Sequence, residues 1–421
     1  MKSNKKPATP SYVEFVILVS MMMSLTALST DAMLPALPRI GSDLNVQTAN
    51  DRQLVVSTIF LGIALGQFFF GPLSDRTGRK PAIYVGYTLY ICGALLSAIA
   101  WNFPVMLFGR LMQGIGVSSP RAVLLALVRD LYEGRSMARV MSFVSAVLLL
   151  IPMIAPTLGQ AILLHAGWRS IFSSFILMAL ITLIWFTLRM PESLTPERRT
   201  AFTLKRISDA TLEIIKIRPA FGYTLSIGFV SGAFLGYLNS AQQIFQEHFA
   251  LGERFPLYFA LISLSIGIAS FLNAHLVLRF GMRFLVQRSL ILIVGLSTVT
   301  LGIALVKSGQ MPLWLMVTYL MSTFFCVGVL FGNQNSLAME PLGHLAGIGA
   351  AVVGSLSTLI SIPLGTLIGQ SYNGTVFPLI TGIAVLSGSS LCVLRWTEKH
   401  SEALRQEQEQ QNLSATSPTR E

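Results

Sequence analysis

Long uncharged apolar segments alternate with short polar segments along nearly the whole chain. A run of about 20 apolar residues is the length of an α-helix that crosses a bilayer. The short polar segments between the runs make successive helices antiparallel neighbours. The pattern therefore predicts twelve spanning helices, at residues 12–37, 53–72, 81–100, 103–128, 138–164, 169–189, 219–243, 255–278, 285–306, 311–336, 345–369 and 374–395.

The longest inner polar segment follows the sixth predicted span and divides six spans from six. A short internal repeat agrees with this division, because residues 279–283 lie between spans 8 and 9 where residues 76–80 lie between spans 2 and 3. We therefore predict an all-α membrane protein with two six-helix halves. The predicted parts are a bundle at 1–190, a cytoplasmic linker at 191–218, a bundle at 219–396 and a disordered, Gln- and Glu-rich cytoplasmic tail at 397–421.

Composition agrees with a membrane protein, since 53% of the residues are hydrophobic and only 12% are charged. Soluble domains carry about 25% charged residues. The net charge is +11, and 23 of the 30 Lys and Arg residues fall in predicted cytoplasmic segments against five in outer segments. This asymmetry follows the positive-inside rule and places both termini in the cytoplasm. The positive charge thus reflects topology and does not indicate a nucleic-acid partner.

The sequence has no pattern that indicates an enzyme, a metal site or an organic cofactor. Cys92, Cys326 and Cys392 lie in apolar runs without metal-binding or disulfide spacing, and no two histidines have zinc-motif spacing. A phosphate-binding loop of the ATP-driven pumps is also missing from the sequence. We therefore expect no metal and no organic cofactor.

The turn between the second and third spans, residues 71–80, has the sequence GPLSDRTGRK and carries four charges in six positions. Its glycines permit close backbone contact or a positive φ, and its acid needs a cation at the end of a membrane helix. Asp130, at the end of the fourth span, is a candidate partner for one of the arginines. The predicted cluster comprises Gly71, Asp75, Arg76, Gly78, Arg79 and Asp130.

Asp31 is the one carboxylate that we place well inside a span of the N-terminal half. Burial disfavours a charged carboxylate, at about 2.5–3.5 kcal/mol or more, so Asp31 is a candidate for taking up and releasing a proton. It is alternatively a structural acid, bonded to Thr30 or located at a helix break near Pro35.

Two arginines, Arg110 and Arg121, lie in the fourth span and share one helix face, because eleven residues make about three turns. A cation near Asp31 would let proton and substrate compete for the same carboxylate. Arg121 either faces a water-filled cavity or extends to the membrane surface.

Further candidates come from polar residues and helix breakers within the spans. Pro152 and Pro156 bend the fifth span and free backbone carbonyls, and Gly159 permits close helix contact. The expected polar residues of a substrate cavity, besides Asp31 and Arg110, are Gln113, Tyr237, Asn239 and Gln242.

Residues 71–80 resemble the loop between helices 2 and 3 of the major facilitator superfamily, which are twelve-helix secondary transporters. Residues 110–116 and the Pro152, Pro156 and Gly159 pattern resemble motifs of its drug:proton antiporters, although Gln160 stands where that family has glycine. Residues 31–38, 128–130 and 333–347 resemble the Bcr/CflA drug-resistance group.

This resemblance implies the major facilitator fold, a substrate site between the halves near the membrane midplane, and coupling through Asp31 and Arg110. It also implies an inner gate in which residues 71–80 and Asp130 close against the start of helix 11. We expect a monomer in the lipid of a bacterial inner membrane that exports amphipathic drugs in exchange for protons. The alternatives are a proton-coupled transporter of one metabolite, by export or uptake, and a membrane sensor that transports nothing.

Overall fold

The computed structural model describes residues 10–199 and 204–416 of the protein. The chain within these ranges is helical, with turns between the helices and no strand. Twelve of the described helices are long and apolar enough to cross a membrane. The prediction of an all-α protein with twelve spans is therefore confirmed.

Fourteen α-helices make up the described chain, and two of them, α2 and α8, are too short to span. The helices are α1 (Tyr12–Asp31), α2 (Leu37–Asp43), α3 (Leu54–Thr77), α4 (Arg79–Ala98), α5 (Phe103–Leu131), α6 (Gly134–Ala166), α7 (Trp168–Arg189), α8 (Leu204–Lys216), α9 (Arg218–Gln242), α10 (Phe255–Phe280), α11 (Met282–Val306), α12 (Leu313–Met339), α13 (Ala346–Gln370) and α14 (Phe377–Thr416).

The first span ends earlier than its hydrophobicity predicts. Helix α1 stops at Asp31, and a 3₁₀ turn at Leu34–Ala36 leads into α2. Pro35 and Pro38 lack backbone N–H groups, so a regular helix cannot continue through them. The break leaves Asp31 in the last turn of α1.

The two polar segments of the prediction also contain helix. Residues 204–216 of the linker form α8, and α14 continues to Thr416 through most of the segment predicted to be a disordered tail. Gln, Glu, Leu, Ala and Arg all favour helix, so this polar segment can extend a helix that a membrane span has already nucleated. Composition alone did not reveal this extension; residues 417–421 of the predicted tail lie outside the described ones.

Glycines allow α5 to pack tightly between α3 and α4. A Cβ at Gly114 would overlap the Ile59 carbonyl of α3, and a Cβ at Gly116 would overlap the Tyr90 amide of α4. A Cβ at Gly93 of α4 would lie 2.6 Å from the Gly109 carbonyl of α5. Small residues permit close helix contact within membranes, where van der Waals packing and hydrogen bonds hold helices together.

The first six spanning helices, through residue 189, pack mainly on one another and are called the N-terminal half here. The last six, from residue 218, do the same and form the C-terminal half. The halves contact each other chiefly through α3 with α13 and α6 with α10. We call the end with residues 71–80 the inner end, because the sequence predicts it to be cytoplasmic, and the opposite end the outer end.

Replacing Gly114 by Ala is expected to destabilise the fold by about 1–3 kcal/mol, since the added methyl overpacks the contact between α5 and α3. Gly295 of α11 has nothing within 4 Å of the position of its missing Cβ. Gly295→Ala is therefore the matched control and should be neutral or slightly stabilising, because Ala favours helix. Thermal unfolding of both variants in detergent measures the difference; equal melting temperatures would contradict the packing argument.

Candidate functional site

A cluster of two acids and one arginine closes the turn at the inner end of the N-terminal half. Arg79 donates to Asp75 at 2.5 Å and to Asp130 at 3.0 Å, and its side chain is only 7% exposed. It also donates to the Ser74 hydroxyl at 2.9 Å. Gly78 separates α3 from α4 with a φ of +109°, which glycine adopts without a Cβ penalty. The cluster therefore joins α3, α4 and α5.

The end of α7 holds the same turn in place, a role that sequence reasoning missed. Glu192 accepts from the backbone amides of Arg79, at 2.8 Å, and Lys80, at 3.0 Å, at the start of α4. Ser193 donates to Asp130 at 2.8 Å. A carboxylate at a helix N-terminus is stabilised by the free amides and the helix dipole. The signal was a Glu and a Ser directly after the sixth span.

The other predicted members of this cluster lie apart from it. Arg76 is exposed and forms no hydrogen bond or ion pair with a described residue. Gly71 lines a cavity, where an added Cβ would lie 3.9 Å from Ala351 of α13. Of the two arginines proposed as partners for Asp130, the structure thus selects Arg79.

Arg110 of α5 is fully buried and is bonded entirely to neutral groups. Its guanidinium donates to the carbonyls of Ser29 in α1, at 2.6 Å, and Val55 in α3, at 3.1 Å. It also donates to the Gln113 side chain at 2.7 Å, and Gln113 donates to Ser97 of α4 at 3.3 Å. Four helices therefore meet at this one cation.

Asp31 is buried, and it follows Ser29, whose carbonyl accepts from Arg110, by two residues in the chain. The structure describes both charged residues and shows no ion pair or hydrogen bond between them. Asp31 instead lies close enough to Tyr237 of α9, in the other half, to interact with it electrostatically. The hydroxyl of Tyr237 is buried and bonds to no described group.

Helix α6 packs directly against the chain beside Asp31. A Cβ at Gly159 would overlap the carbonyl of Ala32, so glycine is required for this approach. Pro152 lies inside α6 about two turns before this contact and Pro156 about one turn before it, and Pro156 is buried. The three residues of the predicted motif thus shape the helix that closes over the end of α1.

A cavity of about 530 Å³ lies between the halves and reaches the inner end. Asp31, Arg110, Gln113, Tyr237, Asn239 and Gln242, which were predicted to line a cavity, do not line this one. Arg121 does line it. Its other lining residues include Gln67, Gly71, Asp75 and Arg79 of α3 and α4, Leu125, Arg129 and Asp130 of α5, Asn335 of α12, Ile348 and Gly354 of α13, and His344 from the 3₁₀ turn between α12 and α13.

The halves meet at the outer end through side-chain amides and one ion pair. Asn50 donates to the carbonyls of Gln370 and Tyr372, each at 2.9 Å, and accepts from Gln243 at 2.7 Å. Arg52 forms an ion pair with Glu247 at 2.5 Å. We call this set the outer contact; it also contains Gln53, Ser57, Asn239, Gln242 and Thr366.

Two residues predicted for the cavity are members of the outer contact. Asn239 donates to Ser57 at 2.9 Å, and Gln242 accepts from Gln53 at 3.2 Å. The sequence did not indicate Asn50, Arg52 or Gln53, because polar residues at the outer end of a span look like ordinary loop residues. With the outer end closed and a cavity at the inner end, the structure is open at the inner end alone among its described parts, a state that we call inward-facing.

These features are those of a secondary transporter, and sequence comparison agrees. The sequence model of the Major Facilitator Superfamily matches residues 19–366, so the chain belongs to this superfamily of membrane transporters.

Similar proteins come from several bacteria. An uncharacterized MFS-type transporter, YdgK of Bacillus subtilis, is 26% identical over 86% of this chain and 90% of its own. A bicyclomycin resistance protein homolog of Haemophilus influenzae is 26% identical over 87% of this chain and 91% of its own. The multidrug resistance protein MdtL of Escherichia coli O127:H6 is 27% identical over 81% of this chain and 84% of its own. The expected likeness to drug-resistance transporters of this superfamily is confirmed.

Solved structures share the fold. A D-xylose-proton symporter has a TM-score of 0.69 at 13% identity, covering 91% of this chain and 97% of its own. The human organic anion transporter MFSD10 has a TM-score of 0.65 at 17% identity, covering 92% and 100%. At these identities the likeness establishes the architecture alone.

Replacing Arg79 by Ala is expected to destabilise the protein by about 2 kcal/mol. Breaking a buried ion pair costs about 3–5 kcal/mol, and the value is lower here because Asp75 is half exposed. The control is Arg76→Ala, which removes an exposed charge from the same turn and should stay within about 0.5 kcal/mol. Thermal unfolding in detergent compares the two, and equal losses would show that Arg79 has no special part in the turn.

Replacing Glu247 by Gln is expected to increase the outward-open population about threefold, because it removes the one ion pair of the outer contact. The effect is modest because Glu247 is 39% exposed and such pairs contribute about 1 kcal/mol or less. Spin labels at Gln47 and Lys307, on the outer ends of opposite halves, measure the population of long distances. Glu253→Gln, at an exposed outer residue, is the control, and an equal change in both would contradict the assignment.

Proposed function

We propose that the protein is a proton-coupled transporter that exports amphipathic small molecules by alternating access. The observation that carries this proposal is Asp31, a buried acid in the membrane without a cationic partner among the described residues. Ionisable residues within membrane helices are expensive and mark ion or proton pathways by default. The proposed coupling ion is the proton, and no other cofactor is required.

Asp31 is suited to carry a proton because no described cation pairs with it, and its side-chain hydrogen bond is to the neutral Thr30. The carboxylate sits in the last turn of α1, about 28 Å along the helix from Tyr12, and thus toward the outer end. Protonation removes the cost of keeping a charge there. Tyr237 belongs to the opposite half, so a change in the charge of Asp31 acts directly on the interface between the halves.

Arg110 is proposed to position this acid and not to pair with it. It holds the carbonyl of Ser29, and through Ser29 the last turn of α1, against α3 and α5. Ser29 and Tyr90 share a further hydrogen bond at 2.6 Å. Any movement of α1 on proton binding must therefore strain or rearrange the bonds of Arg110.

The proposed direction of transport is export, and the two ends of the protein can perform it by alternating access. Substrate enters the inner cavity, the inner end closes and the outer contact opens, which releases substrate and gives Asp31 access to outside protons. The membrane potential contributes about 2.3 kcal/mol per charge per 100 mV to inward proton movement. The cluster of Asp75, Arg79 and Asp130 is the proposed inner gate, and the start of α13 lies across the cavity from it.

The relatives indicate the class of substrate. Their names refer to resistance to bicyclomycin and to multiple drugs, and the cavity of about 530 Å³ is in the usual range for drug-sized ligands. We place the protein in the inner membrane of a bacterium as a monomer, with both termini in the cytoplasm, as the positive-inside rule indicates. A transporter of one specific metabolite is the second candidate.

Asp31→Asn is expected to reduce substrate-driven proton movement at least about tenfold, because the amide cannot bind a proton reversibly at working pH. The measurement uses purified protein in proteoliposomes with a pH-sensitive dye and a panel of bicyclomycin, chloramphenicol, a cationic dye, D-xylose and an amino acid. The control is Asp209→Asn, an exposed acid in α8, which should retain full proton movement.

Three results would decide against the proposal. Uphill efflux by Asp31→Asn at the wild-type rate would exclude Asp31 as the proton carrier. A response to the sugar or the amino acid alone would favour the metabolite transporter. If no compound of any class causes proton movement, the result would favour a membrane sensor that transports nothing.

A further inference from the structure

Arg121 is a cation inside the membrane that has no partner among the described residues. It lies in α5, ten residues and about 15 Å before the inner end of that helix at Leu131. Its side chain is exposed within the cavity between the halves. The guanidinium has five N–H donors in a fixed geometry and always carries a charge, so these donors are available to a ligand in the cavity.

The acids of the cavity do not neutralise Arg121. Asp75 and Asp130 both line the cavity, but both are paired with Arg79. Asp130 also lies nine residues further along α5, about 13 Å nearer the inner end. The deep part of the cavity therefore carries a net positive charge.

A second unused donor lies in the same cavity wall. Gln67 of α3 is 6% exposed, and its side-chain nitrogen bonds to no described group. Buried polar groups are bonded in more than 90% of cases, so each exception points to a missing partner. Arg121 and Gln67 are both donors, and the partner that suits both is an acceptor with negative charge.

The remaining wall adds apolar surface. Leu125 of α5 and Ile348 and Ala351 of α13 line the cavity beside these donors. Such a mixture of apolar wall and few polar groups is typical of a ligand pocket, and polar groups set the orientation of the ligand. An amphipathic anion fits this arrangement better than an amphipathic cation does.

We propose that Arg121 and Gln67 bind the acidic group of the transported molecule, and that amphipathic carboxylates are therefore substrates. This proposal rests on the proposed transport function, and it concerns the binding site only. Arg121 lies outside the residue pattern that carries the family resemblance. The same chemistry would also attract the headgroup of an anionic lipid, and the experiment separates the two sources.

The experiment measures binding of dansylglycine, an amphipathic carboxylate, and dansylglycinamide, its uncharged amide. The full-length protein is placed in nanodiscs of phosphatidylcholine, and the fluorescence of empty nanodiscs is subtracted. Wild-type protein should bind dansylglycine more tightly than the amide. Arg121→Gln should weaken dansylglycine binding about 10- to 100-fold and leave the amide unchanged, since a hydrogen bond between charged groups has this magnitude.

Two further variants make the result specific. Arg121→Lys keeps the charge and should recover part of the affinity, because lysine provides a point charge without the planar donors of arginine. Arg129→Gln removes a charge from the same helix nearer the inner end and should change the affinity less than threefold. Gel filtration and thermal unfolding confirm that each variant is folded before it is compared.

The proposal is overturned if Arg121→Gln binds dansylglycine as tightly as the wild type does. It is equally overturned if Arg129→Gln weakens dansylglycine binding as much as Arg121→Gln does, since the positive charge of the whole cavity, and not Arg121, would then attract the anion. It is also overturned if wild-type protein binds both compounds equally. The experiment is repeated in nanodiscs that also contain phosphatidylglycerol, an anionic lipid. If this lipid displaces dansylglycine from the wild-type protein, the site binds the lipid headgroup and the proposal of a carboxylate substrate is overturned. Asp31→Asn should still bind dansylglycine, so a failure of proton coupling leaves this test intact.

Discussion

The guanidinium of Arg110 is removed from water inside a membrane, and its bonds determine how the N-terminal half is assembled. Because no acid neutralises it, its donors must be used by carbonyl and amide oxygens, which come from Ser29, Val55 and Gln113. Those oxygens are within reach only if α5 lies very close to its neighbours. The glycines at 114 and 116 allow that approach. Leaving such a charge unsatisfied costs several kcal/mol, so the cation and the glycines depend on each other.

The outer contact is well bonded and yet incomplete, which suits a protein that must open it in every cycle. Each of its hydrogen bonds contributes about 0.5–1.5 kcal/mol net. Within the described chain, however, Gln53, Asn239 and Gln243 each bury an oxygen that has no partner, and each such group costs about 1–3 kcal/mol. Gains and costs of similar size nearly cancel, so closed and open states can differ by only a few kcal/mol, as population shifts by ligands require.

The sequence predicted the parts of this protein that depend on local pattern, and it missed those that depend on contact between distant helices. Length and hydrophobicity were enough for twelve spans, and the charged turn at residues 71–80 was enough to indicate the Asp75 and Arg79 cluster. The sequence could not predict that Arg79 rather than Arg76 is the partner of Asp130, because the two arginines are only three residues apart at the junction of α3 and α4. The places of Asn239 and Gln242 were also missed, since their partners lie about 190 residues away along the chain in the other half.

Among the described residues, Asp31 and Arg121 both lack an oppositely charged partner, and they lie at different depths. This separation limits how a proton and a substrate could influence each other. Asp31 is near the outer end of α1, where Gly159 of α6 packs over the following residue, whereas Arg121 faces the inner cavity. Direct competition for one carboxylate, which the sequence suggested, is therefore not available in the inward-facing state. Coupling must pass through movement of the helices between the two sites, and the residues that link those helices rigidly are the ones bonded to Arg110. An exchanger built this way would separate the proposed substrate site at Arg121 from the proposed proton site at Asp31.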